Sequence, residues 1–226
     1  MDSGKSIKSM ARKRAKMRYY RSVLSSNQLD LLKLLGPFLS EQGLYLAGGT
    51  AIALMLGHRR SIDLDWFSPI NTSNPRLWVK KIKSVSLTPK NIDVDEGTFY
   101  ATINGVRTSI IDYEYPMLKP LVKWEAMNCS LCSLDDLSCM KLSAITSRGS
   151  KKDFVDVYAL KMKHKTLNAL IKLYQKKYPD FDLFPAFRGL GYFDDADKEP
   201  MPEMIWKVSW QEIKNEIEKD LKQIIR

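Results

Sequence analysis

The sequence predicts an α/β fold, a mixed sheet followed by a mainly helical C-terminal lobe, and three observations predict it. Within residues 45–67 an apolar strand, a Gly-Gly-Thr turn, an apolar helix and an Asp-x-Asp strand follow one another. Downstream, Asn104-Gly105 joins two strand-like runs, residues 100–104 and 106–113, as a hairpin does. From Ser133 onward, apolar residues recur at helical spacing behind residues suited to capping. The expected division is a basic arm over residues 1–21, a core over 22–118 and a helical lobe over 119–226.

The first unit carries the chemistry. Residues 44–47 read as a short buried strand, broken by Gly48, Gly49 and Thr50 before the apolar helical run 51–56. A glycine turn opening a helix leaves backbone N–H groups unpaired at the positive end of the helix dipole, where a phosphate is stabilised. Thr50 adds a hydroxyl. On the strand that follows, alternation sends Asp63 and Asp65 to one face and Ile62, Leu64 and Trp66 to the other, an apolar floor. Two carboxylates side by side repel, and one pKa rises unless a cation lies between them, so the pair asks for a divalent metal such as Mg²⁺. Arg59 and Arg60 lie in the loop between turn and strand. A second Asp-x-Asp, Asp93 and Asp95, has no glycine turn and helix before it and reads as a solvated strand end.

Residues 133–148 read as a helix with Ser133 or Asp135 as its cap. Leu137, Met140, Ala144 and Ile145 form one stripe, and Lys141 and Arg148 fall inside it. Cations on an apolar face need an anion, either an aspartate of the chain or a nucleotide phosphate. Asp153 and Asp156, three apart on the next helix, are available, so Lys141 and Asp153 read either as site residues or as an ion pair between helices. Asp156 reads as structural. Ser209 and Glu212 form a capping box, and Ile213, Ile217, Leu221 and Ile225 give the closing helix a packing stripe.

The string YLAGGTAIALMLGHRRSIDLDWF resembles the nucleotidyltransferase core of the AbiEii/AbiGii toxin family, within the DNA polymerase β-like superfamily. Members read Gly-Gly-Thr or Gly-Ser, a helix, then Arg-x-Ser-x-Asp-Leu-Asp-aromatic-Phe, matched by Arg59 or Arg60, Ser61, Asp63, Leu64, Asp65, Trp66 and Phe67. Lys141, and Asp153 with Phe154 and Asp156, are similar to the family's later Lys…Arg-Asp-Phe-x-Asp motif, with Lys152 in place of the arginine. A looser match runs through FRGLGYFDDADKEPMPEM. The resemblance implies a polymerase β-like core that transfers a nucleoside monophosphate from an NTP, with Mg²⁺ in a two-metal site, and releases pyrophosphate. By it, Asp63 and Asp65 hold the metal, and Gly48, Gly49, Thr50, Arg60, Ser61 and Lys141 hold the triphosphate. A third carboxylate comes from a later strand, where Asp112 fits, or Asp153 takes that role. The resemblance further implies a toxin of a bacterial toxin–antitoxin or phage-defence system, a cognate antitoxin, and tRNA as acceptor.

Composition narrows the partner. With 226 residues, 44% of them hydrophobic, the chain can bury a full core in one body or two joined lobes. No apolar run approaches ~18 residues and no signal-peptide pattern precedes the core, so a cytoplasmic protein is expected. Cys129, Cys132 and Cys139, with only His58 and His164, fall short of a zinc set, and so few histidines argue against histidine-based catalysis. Net charge is +10, and residues 1–21 hold eight lysines and arginines against Asp2 alone. That arm, extended by Lys80, Lys81 and Lys83, favours RNA as acceptor through its phosphates. Two rivals stand beside this reading. Transfer to a small molecule such as an aminoglycoside is suggested by the acidic run Asp194, Asp195, Asp197 and Glu199, and a non-catalytic nucleic-acid-binding module is opposed by the carboxylates and Lys141.

Overall fold

The computed structural model describes residues 18–70 and 74–225, so the basic arm expected over residues 1–21 lies outside the described residues except for 18–21. Ser25 opens α1 (Ser26–Glu41) with a capping box closed by Gln28, and Leu31, Leu32, Leu35 and Leu39 bury its inner face. Then come β1 (Tyr45–Leu46), α2 (Gly48–Leu56), β2 (Asp63–Ser68) and α3 (Leu77–Lys83). The helix after the turn takes in both glycines as its first residues.

A meander follows, β3 (Lys90–Asp95), β4 (Thr98–Ile103) and β5 (Val106–Asp112). Asn104 and Gly105 join the last two strands with φ of 49° and 78°, the left-handed pair that a tight hairpin turn requires. Asp93 and Asp95 are exposed on β3, at the edge of the sheet, as a solvated strand end should be. With β6 (Val122–Trp124) and β7 (Cys129–Leu131) the sheet has seven strands in the order β3-β4-β5-β2-β1-β7-β6. β2 runs parallel to β5 and β1 parallel to β7, while the other neighbours are antiparallel. The mixed sheet is the one expected, but its boundary is not. β6 and β7 lie past residue 118 yet belong to the same sheet, because β7 finds its parallel partner at Leu46, far away in sequence.

The helical part therefore begins at α4 (Leu134–Ser147), where Ser133 Oγ accepts from Asp136 N. It continues through α5 (Lys151–Lys163), α6 (Leu167–Lys177), α7 (Phe184–Leu190), α8 (Asp194–Lys198) and α9 (Trp210–Ile224). The expected capping box opens α9, and Ile213, Ile217 and Leu221 bury against the neighbouring helices. Ile225 ends just beyond the helix and is exposed. α1 packs on β5 and β7, while α4 packs against α2, α5, α6 and α7. Leu64 and Trp66 are fully buried under β2, but Ile62 precedes the strand and points to solvent, so the apolar floor is narrower than alternation suggested. No helix among the described residues is long and apolar enough to cross a membrane.

Candidate active site

Register decides which side chains meet. The parallel pairing of β2 with β5 sets Asp63 against Arg107, Asp65 against Ser109 and Phe67 against Ile111. These residues share one face, because both strands alternate in step. Asp63, Asp65, Phe67, Ser109 and Ile111, with Gly48, Gly49, Ser61 and α4, line a cavity of about 500 Å³, within the range of small-molecule sites. Asp112 pairs with Ser68 and belongs to the opposite face. It cannot complete a metal site with Asp63 and Asp65, which corrects its expected role. Ser109 stands where a third carboxylate would be, and its Oγ donates to Asp65 Oδ1 at 2.6 Å. Among the described residues, no group of three or more His, Cys, Asp or Glu converges as a metal cluster.

The two glycines are explained by their neighbours. Gly48 has φ of +63°, and a Cβ there would stand 2.6 Å from Asp65 Oδ2. A Cβ on Gly49 would stand 2.0 Å from a guanidinium nitrogen of Arg59. The turn is thus bare so that a carboxylate and a guanidinium can close on the start of α2. Ala47 N donates to Asp65 O at 2.9 Å, and Thr50 Oγ1 donates to Asp63 O, so the helix start is tied to the backbone of both aspartates. Thr50 Oγ1 also meets Ser61 Oγ at 2.6 Å. The Thr50 hydroxyl is buried and turned inward as a pin between α2 and β2, a correction to its expected phosphate contact. Ser61 and Arg60 do line the cavity, Arg60 with its Nε 2.6 Å from Glu203 Oε1 in an exposed pair. No side chain caps α2, so the N–H groups of its first turn are open to a ligand at the glycine turn.

Asp63 is the strained member of the carboxylate pair. Burial, and then the charge of Asp65, raise its carboxyl above the ordinary value against the opposing pull of Arg107, Lys152 and Arg59. Its Oδ1 is buried without a hydrogen-bond partner, and the exposed Arg107 Nε stands 3.8 Å away. An orphaned carboxylate oxygen beside a second carboxylate is the donor set that a hard divalent cation satisfies, so Asp63 and Asp65 fit Mg²⁺.

Behind this pair lies a buried ionic network. Asp156 accepts from Arg59 Nε at 2.7 Å and Nη2 at 2.9 Å, and meets Lys141 Nζ at 2.7 Å. It also meets His58 Nε2 at 2.7 Å. Burial lowers the imidazole pKa, and burial alone would raise the Asp156 carboxyl, but Arg59 and Lys141 hold that carboxyl well below its usual range. The neutral ring therefore donates Nε2–H to an ionised carboxylate. Asp153 has both oxygens engaged. Lys141 Nζ and Arg148 Nη2 donate to Oδ1 at 2.8 and 3.0 Å, and Arg148 Nε and Ser150 Oγ to Oδ2 at 2.8 and 2.7 Å. Burial opposes its ionisation, and Lys141 and Arg148 more than offset that. Asp153 is fully buried and away from the cavity wall, so it is not placed to help a metal or an attacking hydroxyl. Lys141 does line the cavity, yet its ammonium bridges Asp153 and Asp156, and it is placed as a structural tie where a phosphate ligand was one of two expectations.

Cations at the cavity mouth come instead from Arg148 and Lys152, at the α4–α5 junction. Both are exposed, and Lys152 lowers the Asp63 carboxyl through space while Arg148 is coupled to Asp65. The opposite wall is aromatic, with Phe67, Tyr113 and Tyr178 at its surface and the Tyr113 and Tyr178 hydroxyls bonded to each other. The signal for Ser109 was present, since it shares parity with Ile111 and not with Asp112. Tyr178 carried none, because it arrives from α6. The acidic run has internal partners: Asp195 pairs with Lys198, Asp197 with Lys214 and Trp210, and Glu199 accepts from Lys151 N. Cys129, Cys132 and Cys139 are buried free thiols, and burial pushes Cys129 and Cys139 up to about 12.

A protein of Aquifex aeolicus (strain VF5), the uncharacterized protein aq_aa25, is 32% identical to this chain over 186 residues, covering 80% of the chain and 87% of that protein. The chain belongs to the same family as aq_aa25. No family model matches it. Among solved structures, a putative nucleotidyltransferase from H. pylori aligns with a TM-score of 0.53 at 14% identity, over 87% of this chain and 92% of that one. MenT4, a nucleotidyltransferase toxin from Mycobacterium tuberculosis H37Rv, aligns with a TM-score of 0.52 at 13% identity, over 86% and 82%. The fold is that of polymerase β-like nucleotidyltransferases, with the glycine turn and the aspartate pair in one cavity.

Two outcomes follow from the charges. Lys141→Met removes an ammonium from between two buried carboxylates, which costs about 3–5 kcal/mol. For a chain of this size the melting temperature should fall by about 6–20 °C, and a calorimetric scan showing no change would mean that Lys141 does not hold the network. Asp63→Asn acts in the other direction. Its raised pKa means that the folded chain binds this proton more tightly than the unfolded chain, so ionisation costs stability as pH rises above the ordinary carboxylate range. In EDTA the variant should melt above the wild type at neutral pH, and the difference should vanish on acidification below that range. A variant that melts lower at neutral pH would show that Asp63 is not strained.

Proposed function

We propose that this chain is a Mg²⁺-dependent nucleotidyltransferase that moves a nucleoside monophosphate from an NTP to an RNA acceptor and releases pyrophosphate. The observation that carries this reading is the aspartate pair, with the buried unpartnered Oδ1 of Asp63, set beside the uncapped start of α2. Asp63 and Asp65 would hold Mg²⁺, which when bound offsets charge on the phosphates and on the carboxylates. Ser109 fixes the rotamer of Asp65 by donating to its Oδ1. The first N–H groups of α2 bind triphosphate oxygens from one side, and Arg148 and Lys152 do so from the other. Phe67, Tyr113 and Tyr178 offer ring surface to the base. Attack by an acceptor hydroxyl forms a P–O bond at the α-phosphorus and breaks the bond to the β-phosphate, and pyrophosphate leaves. The hydroxyl proton leaves to solvent water, since both carboxylates would be taken up in holding the metal.

The AbiEii/AbiGii resemblance supports a toxin of a toxin–antitoxin or phage-defence system, with tRNA as acceptor and a cognate antitoxin as partner. Transfer to a small molecule loses its sequence argument, since the acidic run is engaged within the chain.

The test is incubation of the purified protein with each labelled NTP, Mg²⁺ and total RNA. Transfer of label into RNA is expected, and Asp65→Asn should lower it at least ~100-fold. Asp112→Asn, on the opposite face of the sheet, should leave the rate within a few-fold of wild type. Equal loss in the two variants would sink the assignment of the site, and labelled small molecules in place of RNA would redirect the acceptor.

A further inference from the structure

A second groove opens beside the cavity. It has a volume of about 350 Å³ and lies between the end of α4 and α7. Gly189 lets the helices approach, since a Cβ there would stand 3.1 Å from Ile145 Cγ2 and 3.2 Å from Ile145 O. One wall is the Arg148–Gly149 turn, and the other carries Phe184, Arg188 and Tyr192. Both aromatic rings face water, Phe184 at 66% and Tyr192 at 49% exposure. Asp195 also lines the groove, and Lys198 Nζ holds it at 3.1 Å; Arg148 is paired with Asp153, which leaves Arg188 as the cation of the groove without an acidic partner. Ser147 and Arg148 line the cavity and the groove alike, so the two adjoin at these residues.

We propose that this groove binds the single-stranded end of the acceptor RNA and leads its terminal hydroxyl to Asp63 and Asp65. The identity of the acceptor rests on the nucleotidyl-transfer reading; the groove itself rests on its own residues. Large exposed rings beside arginines are the combination that unpaired polynucleotides use, in which bases stack on aromatic faces and phosphates meet the cations. A duplex hides its base faces and cannot stack on Phe184 or Tyr192. Arg148, half-exposed at 56% and anchored to Asp153, stands at the passage between groove and cavity.

The test is fluorescence anisotropy with the full chain, a short 5′-labelled single-stranded RNA and a blunt RNA duplex of the same length. The single strand should bind more tightly than the duplex. Phe184→Ala and Tyr192→Ala should each weaken single-strand binding by about tenfold. Arg188→Gln should weaken it and reduce the slope of log affinity against log salt by about one. All three side chains are at the surface, so the variants should melt like wild type, and their affinity for an NTP should not change. Equal binding of duplex, or unchanged single-strand affinity in the aromatic variants, would overturn the groove. Absence of any single-strand binding would overturn it too, even if nucleotide transfer to another acceptor were found. Binding through Phe184 and Tyr192 by a protein that neither binds nor transfers an NTP would leave the groove standing and sink the transfer reading instead.

Discussion

The site is shaped from behind, by the burial of Asp156. One carboxylate, without access to water, receives His58 and Arg59 from the loop after α2 and Lys141 from α4, while it is itself carried on α5. An isolated carboxylate at that depth would be untenable, so these three elements have to converge on it. Their convergence sets everything in front. Arg59, held by Asp156, lies against Gly49 and fixes the start of α2, and Lys141 carries the tie on to Asp153. Asp153 then anchors Arg148 at the mouth of the cavity. A network of three firm cations and two anions retains one positive charge, and it faces the two aspartates of the sheet.

That opposition accounts for the electrostatic character of the cavity. On the sheet side Asp63 and Asp65 repel each other, and burial keeps solvent from relieving them. On the helical side Arg148 and Lys152 project toward the same space. Lys152, with Arg107 and Arg59, pulls the Asp63 carboxyl down, and it remains raised despite them. The gap between the two halves is where an anion with its own counter-cation would satisfy both, which is the charge pattern of a metal-bound polyphosphate.

Much of this was legible in the sequence, and the misses have a common cause. Local periodicity gave the glycine turn, the alternation of Asp63 and Asp65, the hairpin at Asn104-Gly105, one of two caps offered for α4 and the capping box of α9, because each is decided within a few residues. Asp112 was misplaced because its face depends on the register between β2 and β5, strands some forty positions apart. Thr50 looked like a ligand because its type suits one, and only the close approach of Asp63 O and Ser61 turned its hydroxyl inward. For Lys141 the sequence supplied both readings, and what separated them was a carboxylate count, two buried aspartates around one ammonium, that helical spacing does not fix. Tyr178 and Phe184 carry no motif, Tyr192 falls only in the looser FRGLGYF stretch, and their place at the cavity or the groove comes from helix packing.

Ser109 sharpens what kind of centre this is. A third carboxylate at that position would add a negative charge to a pair already under strain, on a face with little solvent to screen it. A hydroxyl instead donates a hydrogen bond to Asp65, removes one lone pair from competition and leaves the pair with a formal charge of −2, which one divalent cation balances. Any second cation would lack a protein carboxylate of its own and would have to be held by the phosphates that arrive with it. The protein's own contribution is then concentrated in Asp63, whose Oδ1 is free of hydrogen bonds, while Asp65 is held in place from both sides, by Ser109 on one oxygen and by the bare Gly48 against the other. One carboxylate is fixed and the other keeps an oxygen without a hydrogen bond, and that asymmetry arises from three ordinary facts: a register, a missing Cβ and a hydroxyl.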